Sequence, residues 1–285
     1  MKMKIIECPR DAMQGIKEYI PTESKVRYIN QLLDVGFHTI DVGSFVSPKA
    51  VPQMKDTAEV LDKINWYESS SELLTIVANK RGAEDAVQFD QIDYLGFPFS
   101  ISEKFQKRNT NSTIEESLSR VEEIQNLCEK NHKKAVIYIS MAFGNPYGEK
   151  WDPEIAIKWS ERLHREIGIE IIALSDTIGV SDKNNISNMF NSLIPELENV
   201  EFGAHLHTTP DSWEEKVAAA YNSGCRRFDG ALKGFGGCPM AKDDLTGNMA
   251  TENMISWFDK NKIELGLERK ALEDAMAEAG KVFPQ

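Results

Sequence analysis

The sequence predicts one α/β domain over residues 1–285, a (β/α)8 barrel with one extra helix near its C-terminal end. Three observations point there. Short β-rich runs alternate with longer helical patterns eight times, and eight parallel strands close a barrel. The length of 285 residues suits one such barrel, which runs to about 250 residues before insertions. The first run ends in Pro9-Arg10-Asp11 and not in the glycine fingerprint that opens a doubly wound dinucleotide sheet.

Strands are expected at residues 4–8, 38–42, 73–78, 92–96, 135–141, 170–174, 200–207 and 227–232, where β-favouring residues cluster between turn signals. Residues 23–35 set Val26, Ile29, Leu32 and Leu33 on one helical face and stop at Gly36. Residues 113–130 set Ile114, Leu118, Val121, Ile124 and Leu127 on one face. Their start, Thr113 with Glu116 three residues on, reads as a capping box. Further helices are expected near 52–63, 81–89, 152–167, 184–193, 213–223 and 252–260, with the extra one at 268–280. No linker, repeat or low-complexity run divides the chain.

The net charge of -12 argues against nucleic acid, whose binders need a basic face. The four cysteines, Cys8, Cys128, Cys225 and Cys238, form no Cys-x-x-Cys pair and read as reduced thiols. The apolar run at the N-terminus is too short for a signal-peptide core, and no stretch reaches the ~20 apolar residues of a membrane helix. A cytoplasmic protein without membrane contact is the expectation.

In a parallel barrel, chemistry gathers at the C-terminal ends of the strands. That rim carries Arg10-Asp11, Asp41, Asn79, Asp176, His205-Leu206-His207 and the run from Lys233 to Pro239, followed by Gly247-Asn248. His205 and His207 share a strand face, because side chains alternate with period two. The opposite set, Val200, Phe202, Ala204 and Leu206, is apolar and should face the helices, so the histidines point inward. Spacing alone leaves them as metal ligands or as hydrogen-bonded strand-end residues. Only five histidines occur in the chain, and acidic Asp11 lies on the neighbouring first strand, which favours metal. Asp11 and Asn248 can complete the set. One carboxylate, two imidazoles and an amide suit Mg²⁺ or Mn²⁺ better than a closed structural Zn²⁺ site.

Gly236-Gly237-Cys238 reads either as a tight turn or as a closing loop that delivers the Cys238 thiol as acid or base. Cys8, Cys128 and Cys225 read as inert. Arg10 is either the ion-pair partner of a barrel carboxylate or a fixed cation for a developing enolate oxygen. Asp41 and Asp176 read either as partners of Arg10 or as supports for the histidines.

Arg10-Asp11-Ala12-Met13-Gln14, Ser44-Phe45-Val46-Ser47-Pro48-Lys49, Ser175-Asp176-Thr177-Ile178-Gly179, His205-x-His207, Gly236-Gly237-Cys238-Pro239 and Gly247-Asn248 occur in that order. With the segment from Phe105 to Ser117, they resemble the 3-hydroxy-3-methylglutaryl-CoA lyases. The likeness spans about residues 4 to 255. It implies a divalent ion, Mg²⁺ or Mn²⁺, held by Asp11, His205, His207 and Asn248. It implies Arg10 at the enolate oxygen, Cys238 as loop acid or base, and Asp41 and Asp176 as site carboxylates. The implied reaction cleaves an acyl-CoA substrate to acetyl-CoA and acetoacetate, as in leucine catabolism and ketone body metabolism. Lys49, Arg108, Asn109, Gly236 and Gly237 are candidate CoA or substrate contacts, with Lys80 and Arg81 as further rim cations. A homo-oligomer, as a dimer, is the expected assembly. Departures gather at the mouth: Asp41 where these lyases usually carry glutamate, Thr208 for aspartate, Ala12 for glycine and Met240 for tyrosine.

The alternatives are a related acyl-CoA lyase, an enzyme condensing acetyl-CoA with a 2-oxo acid, and a catalytically silent acyl-CoA-binding barrel. A Schiff-base aldolase fits less well, since no inward strand-end lysine stands out.

Overall fold

The computed structural model describes residues 2–237 and 246–283. Eight parallel strands follow one another around a closed barrel: β1 (Lys4–Glu7), β2 (Thr39–Ser44), β3 (Glu72–Ile76), β4 (Ile92–Ser100), β5 (Lys134–Ser140), β6 (Ile171–Asp176), β7 (Glu201–Thr208) and β8 (Arg227–Gly230). The β8–β1 and β6–β7 pairings complete the ring. A ninth strand, β9 (Gly247–Asn248), pairs antiparallel with β7.

The helices are α1 (Pro9–Gln14), α2 (Thr22–Val35), α3 (Thr57–Lys63), α4 (Lys80–Ala86), α5 (Glu103–Thr110), α6 (Ile114–Lys130), α7 (Pro153–Ile167), α8 (Lys183–Glu196), α9 (Trp213–Asn222), α10 (Thr251–Lys260) and α11 (Arg269–Val282). The expected capping box opens α6: Glu116 N donates to Thr113 Oγ1 at 3.1 Å, and Thr113 N donates to Glu116 Oε2 at 2.8 Å. Gly36 ends α2 in the left-handed region at φ 79°, which costs a glycine nothing. The extra helix is α11, and it packs against α2. No helix among the described residues is long and apolar enough to cross a membrane.

Four differences from the sequence expectation bear on the site. Arg10 and Asp11 do not end a strand; Pro9 starts α1, where its missing N–H is no loss. Residues 52–63 split into a 3-10 turn at Pro52–Met54 and then α3. Strand β4 runs past Gly96 through Pro98. Its ladder with β3 ends at Gly96, so the proline nitrogen faces no partner strand and forfeits no bond. The polar segment Glu103–Thr110 forms α5, capped by Ser102 and by Asn111 at φ 51°.

The main core fills the space between strands and helices. A smaller cluster of Leu74, Ile76, Tyr94, Val136, Tyr138, Ile171 and Ala173 packs on β3 to β6. Ile76 and Tyr138 of that cluster also line the large cavity, so it is the apolar inner wall of the barrel. The histidines and carboxylates come from the other wall, β7, β8 and β2, with Asp11 from α1 after β1.

Glu7 ties β1 to the root of the glycine loop. Its Oε1 accepts from Leu232 N at 2.8 Å and its Oε2 from Thr251 Oγ1 at 2.5 Å. Burial pushes its pKa from 4.5 up to about 8. The folded state therefore binds this proton more tightly than the unfolded chain. Its contribution to stability is whole below pH 4.5 and is lost as pH rises through about 8. Glu7→Gln can keep an acceptor for Leu232 and donate to Thr251. Urea unfolding across that window should show a flatter pH profile for the variant than for the parent.

Candidate active site

The cavity at the C-terminal mouth of the barrel has a volume of about 570 Å³. Arg10, Asp11, Gln14, Asp41, Ser44, His205 and His207 lie on its polar side. Val46, Val51, Ile76, Pro98 and Phe105 lie on its apolar side.

Period two along β7 brings both histidines inward, as expected. Asp11 joins them from the first turn of α1. One ligand atom from each of Asp11, His205 and His207 lies within 4.8 Å of the others. The fourth candidate arrives through β9, whose ladder sets Asn248 opposite His207. Asn248 Nδ2 donates to Asp11 Oδ2 at 2.7 Å and to Phe235 O at 2.8 Å, which leaves its Oδ1 as a possible ligand.

Each ligand is oriented. His205 Nδ1 lies 3.1 Å from Asp229 Oδ2 on the adjacent strand, leaving Nε2 as the other ring nitrogen. Burial lowers the His205 pKa, but the Asp229 hydrogen bond and charge outweigh it, and the ring ends above its ordinary value. Burial and then the neighbouring His205 push His207 down to about 4, so its ring is neutral at neutral pH. His207 Nδ1 is buried with no hydrogen-bond partner among the described residues. An orphaned neutral imidazole nitrogen beside a carboxylate fits a divalent cation. Burial pushes the Asp11 carboxyl up, but Arg10, both histidines and Asn248 hold it below its ordinary value.

Arg10 bridges the two carboxylates of the mouth. Its Nε and Nη2 donate to Asp41 Oδ2 at 2.9 and 2.6 Å, and Nη1 donates to Asp11 Oδ1 and Gln14 Oε1, each at 3.0 Å. A guanidinium has five donors, so one N–H remains after these four bonds. Burial pushes the Asp41 pKa up from 3.8 to about 6, against the pull of Arg10. Asp41 Oδ1 has no partner among the described residues. A bulge in β2 sets this corner. The register slips between Asp41 and Gly43, so Asp41 and Ser44 both reach the cavity. A Cβ on Gly43 would meet the Thr57 side chain at 2.5 Å.

The glycine loop sits against the same ligands. Gly236 has φ +87°, and a Cβ there would meet Asn248 Nδ2 at 2.6 Å and Asp11 O at 2.9 Å. Only glycine lets the loop pass so close. Gly237, Arg108 and Asn109 line the cavity, and the Arg108 guanidinium lies 5.8 Å from the Tyr147 ring centre. Cys238 lies outside the described residues.

One expectation needs correction. Asp176 is not on the cavity wall. Its Oδ2 accepts from Ser181 N at 3.1 Å and Lys216 Nζ at 2.8 Å, its Oδ1 from Val180 N at 2.9 Å, and Ser181 Oγ also donates to it. Lys216 Nζ in turn donates to His207 O at 2.9 Å. Asp176 thus steadies the end of β7 from behind, and Ser175 takes the inward position. Lys49, Lys80 and Arg81 are exposed and do not line the cavity; Lys80 Nζ lies 3.9 Å from Glu123.

Sequence reasoning misses three residues at the site: Asp229, Cys8 and Tyr138. Asp229 stands two residues along β8 from buried Arg227, a spacing that suggests only a structural ion pair. Cys8 does not lie within a strand; it precedes α1 and lines the cavity. Tyr138 also lines it, its ring edge-on to His205 at 5.6 Å.

The HMGL-like family model matches residues 2–278. The chain is 34% identical over 274 residues to the cytoplasmic 3-hydroxy-3-methylglutaryl-CoA lyase of Rattus norvegicus, covering 96% of this chain and 79% of that one. It is 32% identical to the 3-hydroxy-3-isohexenylglutaryl-CoA/hydroxy-methylglutaryl-CoA lyase of Pseudomonas aeruginosa, covering 96% and 90%. Its fold superposes on an HMG-CoA lyase from Acinetobacter baumannii, solved with coenzyme A and 3-methylmalate, with a TM-score of 0.89, 28% identity and coverage of 99% and 91%.

Proposed function

The chain belongs to the HMGL-like family, and on that premise we propose that it is a divalent-metal-dependent lyase that cleaves 3-hydroxy-3-methylglutaryl-CoA to acetyl-CoA and acetoacetate. The observation that carries this reading is the meeting of Asp11, His205 and His207 within 4.8 Å on the wall of the cavity. With Asn248 these residues would hold Mg²⁺ or Mn²⁺. A bound divalent ion supplies Lewis acidity, easing loss of a substrate hydroxyl proton and fixing the acyl group in place.

The chain's own residues do the rest. The partnerless Oδ1 of Asp41 takes the proton of the tertiary hydroxyl; burial raises this carboxyl to about 6, near the working pH of a base. The hydroxyl electrons become the ketone of acetoacetate as the carbon–carbon bond breaks. The electrons of that bond pass into the enolate of acetyl-CoA. Arg10 donates its remaining N–H to the enolate oxygen, where charge develops. An acid then protonates the enolate carbon, and Cys238 is the candidate. The apolar wall of Val46, Val51 and Phe105 takes the 3-substituent and excludes water.

Asp229 is a positioning residue. Its hydrogen bond keeps the proton on His205 Nδ1 and presents Nε2 to the cation. Asp229→Asn should weaken Mn²⁺ binding by about 10–100-fold. Isothermal titration of chelator-stripped protein measures this. Unchanged Mn²⁺ affinity would show that Asp229 does not position His205 for the ion.

The P. aeruginosa relative is named for two acyl groups, one with a longer 3-substituent. A longer 3-substituent is therefore the second reading for this cavity. A product screen tests both. The protein is given 3-hydroxy-3-methylglutaryl-CoA, its 3-isohexenyl analogue, and acetyl-CoA with a set of 2-oxo acids. Acetoacetate from the first supports the proposed substrate. Turnover of the analogue alone supports the second reading. Condensation without cleavage defeats both.

A further inference from the structure

The proposed hard-ion site uses one side of His205's chemistry; a second donor set surrounds the same ring. Cys8 Sγ, a His205 nitrogen and an Asp229 carboxylate oxygen lie within 4.8 Å of one another. They come from the ends of β1, β7 and β8, which are neighbours in the barrel. Cys8 is 1% and Asp229 2% exposed, and Cys8 lines the cavity. Asp229 Oδ1 is buried with no hydrogen-bond partner among the described residues.

The donor chemistry differs from that of Asp11, His207 and Asn248. Those groups offer oxygen and imidazole nitrogen, the ligands of hard ions. Sulfur with imidazole and carboxylate is a set for Zn²⁺ or Cd²⁺. The surroundings also favour a cation. The carboxylates of Asp229, Asp41 and Asp11 lie near the Cys8 sulfur, and a dication there answers their negative charge. Binding at the sulfur releases the thiol proton.

We propose that Cys8, His205 and Asp229 form a second cation site, selective for thiophilic divalent ions, that shares His205 with the site of Asp11, His207 and Asn248. The shared part of this inference rests on the ligand role given to His205 above. The His205 nitrogen nearest Asp229 is Nδ1. A thiophilic ion that takes Nδ1 ends the hydrogen bond that orients the ring. Occupation of this site therefore weakens the hard-ion site, and the protein is inhibited by thiophilic metals.

The test is a Cd²⁺ titration of the full chain loaded with Mn²⁺. The ultraviolet sulfur-to-cadmium charge-transfer band reports the new site, and the electron paramagnetic resonance of free Mn²⁺ reports displacement. The expected result is one saturable band per chain that grows as Mn²⁺ is released. Cys238→Ser should keep the band and Cys8→Ser should lose it. Asp229→Asn retains the thiol and should weaken the band, which gives a second readout if Cys8→Ser does not fold. A band that survives in Cys8→Ser, or no band in the parent, overturns the site. A Cys8-dependent band with no Mn²⁺ release overturns the sharing of His205. If the parent binds no Mn²⁺ at all, the band still reports Cys8, so the failure of the catalytic reading and of this one are distinguishable.

Discussion

His207→Ala is expected to reduce cleavage by roughly a thousandfold, equivalent to about 4 kcal/mol of transition-state stabilisation. The ring is buried and neutral, with its Nδ1 left without a partner among the described residues. Such a nitrogen is costly unless something binds it. Removing the ring should cost Mn²⁺ affinity together with activity. Stability should change much less than activity, because the ring faces the cavity and lies outside the main core. Activity, Mn²⁺ binding and melting temperature measured on one preparation separate these outcomes. A variant that loses activity but binds Mn²⁺ as the parent does would take His207 out of the ligand set.

Arg10→Lys is the second large effect. Lysine keeps the positive charge between Asp11 and Asp41 but loses the planar fork that engages both while leaving a donor over. Loss of one donor at a developing oxyanion costs about 10²–10³ in kcat. The drop should fall mainly on kcat, with Mn²⁺ affinity kept. Arg10→Met is a poorer probe, since it leaves two buried carboxylates without their cation, and breaking a buried pair costs about 3–5 kcal/mol. If Arg10→Lys turns over at the parent rate, Arg10 is only an ion-pair partner of the two carboxylates.

The barrel is legible in the sequence because its signals are long and periodic. Eight β-rich runs alternate with helical patterns, and seven of the helical patterns match single helices while residues 52–63 split in two. The histidine pair is legible for a sharper reason: Val200, Phe202, Ala204 and Leu206 mark one face of β7 so clearly that His205 and His207 have only the other. The same rule does not rescue Asp176. Its strand reads Ile-Ile-Ala-Leu-Ser-Asp, apolar on both faces, and the sequence carries no mark that Ser175 rather than Asp176 turns inward.

Short elements are hidden for related reasons. Helix α1 is six residues and β9 is two, below the length at which a period can be read. Yet α1 aims Arg10 and Asp11, and β9 places Asn248 opposite His207. Barrel adjacency alone suggests that Asp11 and Asn248 join the histidines, and the elements that bring them there carry no sequence period of their own. The hydrogen bond from Asp229 to His205 depends on the β7–β8 register, which no pattern within one strand specifies. The bulge at Val42 likewise changes which residues of β2 face inward.

On the proposed function, Asp11, His205, His207 and Asn248 hold the ion on which cleavage depends. The most direct measurement titrates Mn²⁺ into chelator-stripped protein while counting the acetyl-CoA and acetoacetate formed from 3-hydroxy-3-methylglutaryl-CoA. The expected result is no product before the ion is added, equal amounts of the two products afterwards, and a rate that saturates at one Mn²⁺ per chain. Cleavage that survives stripping, or no cleavage with the ion fully bound, would contradict it.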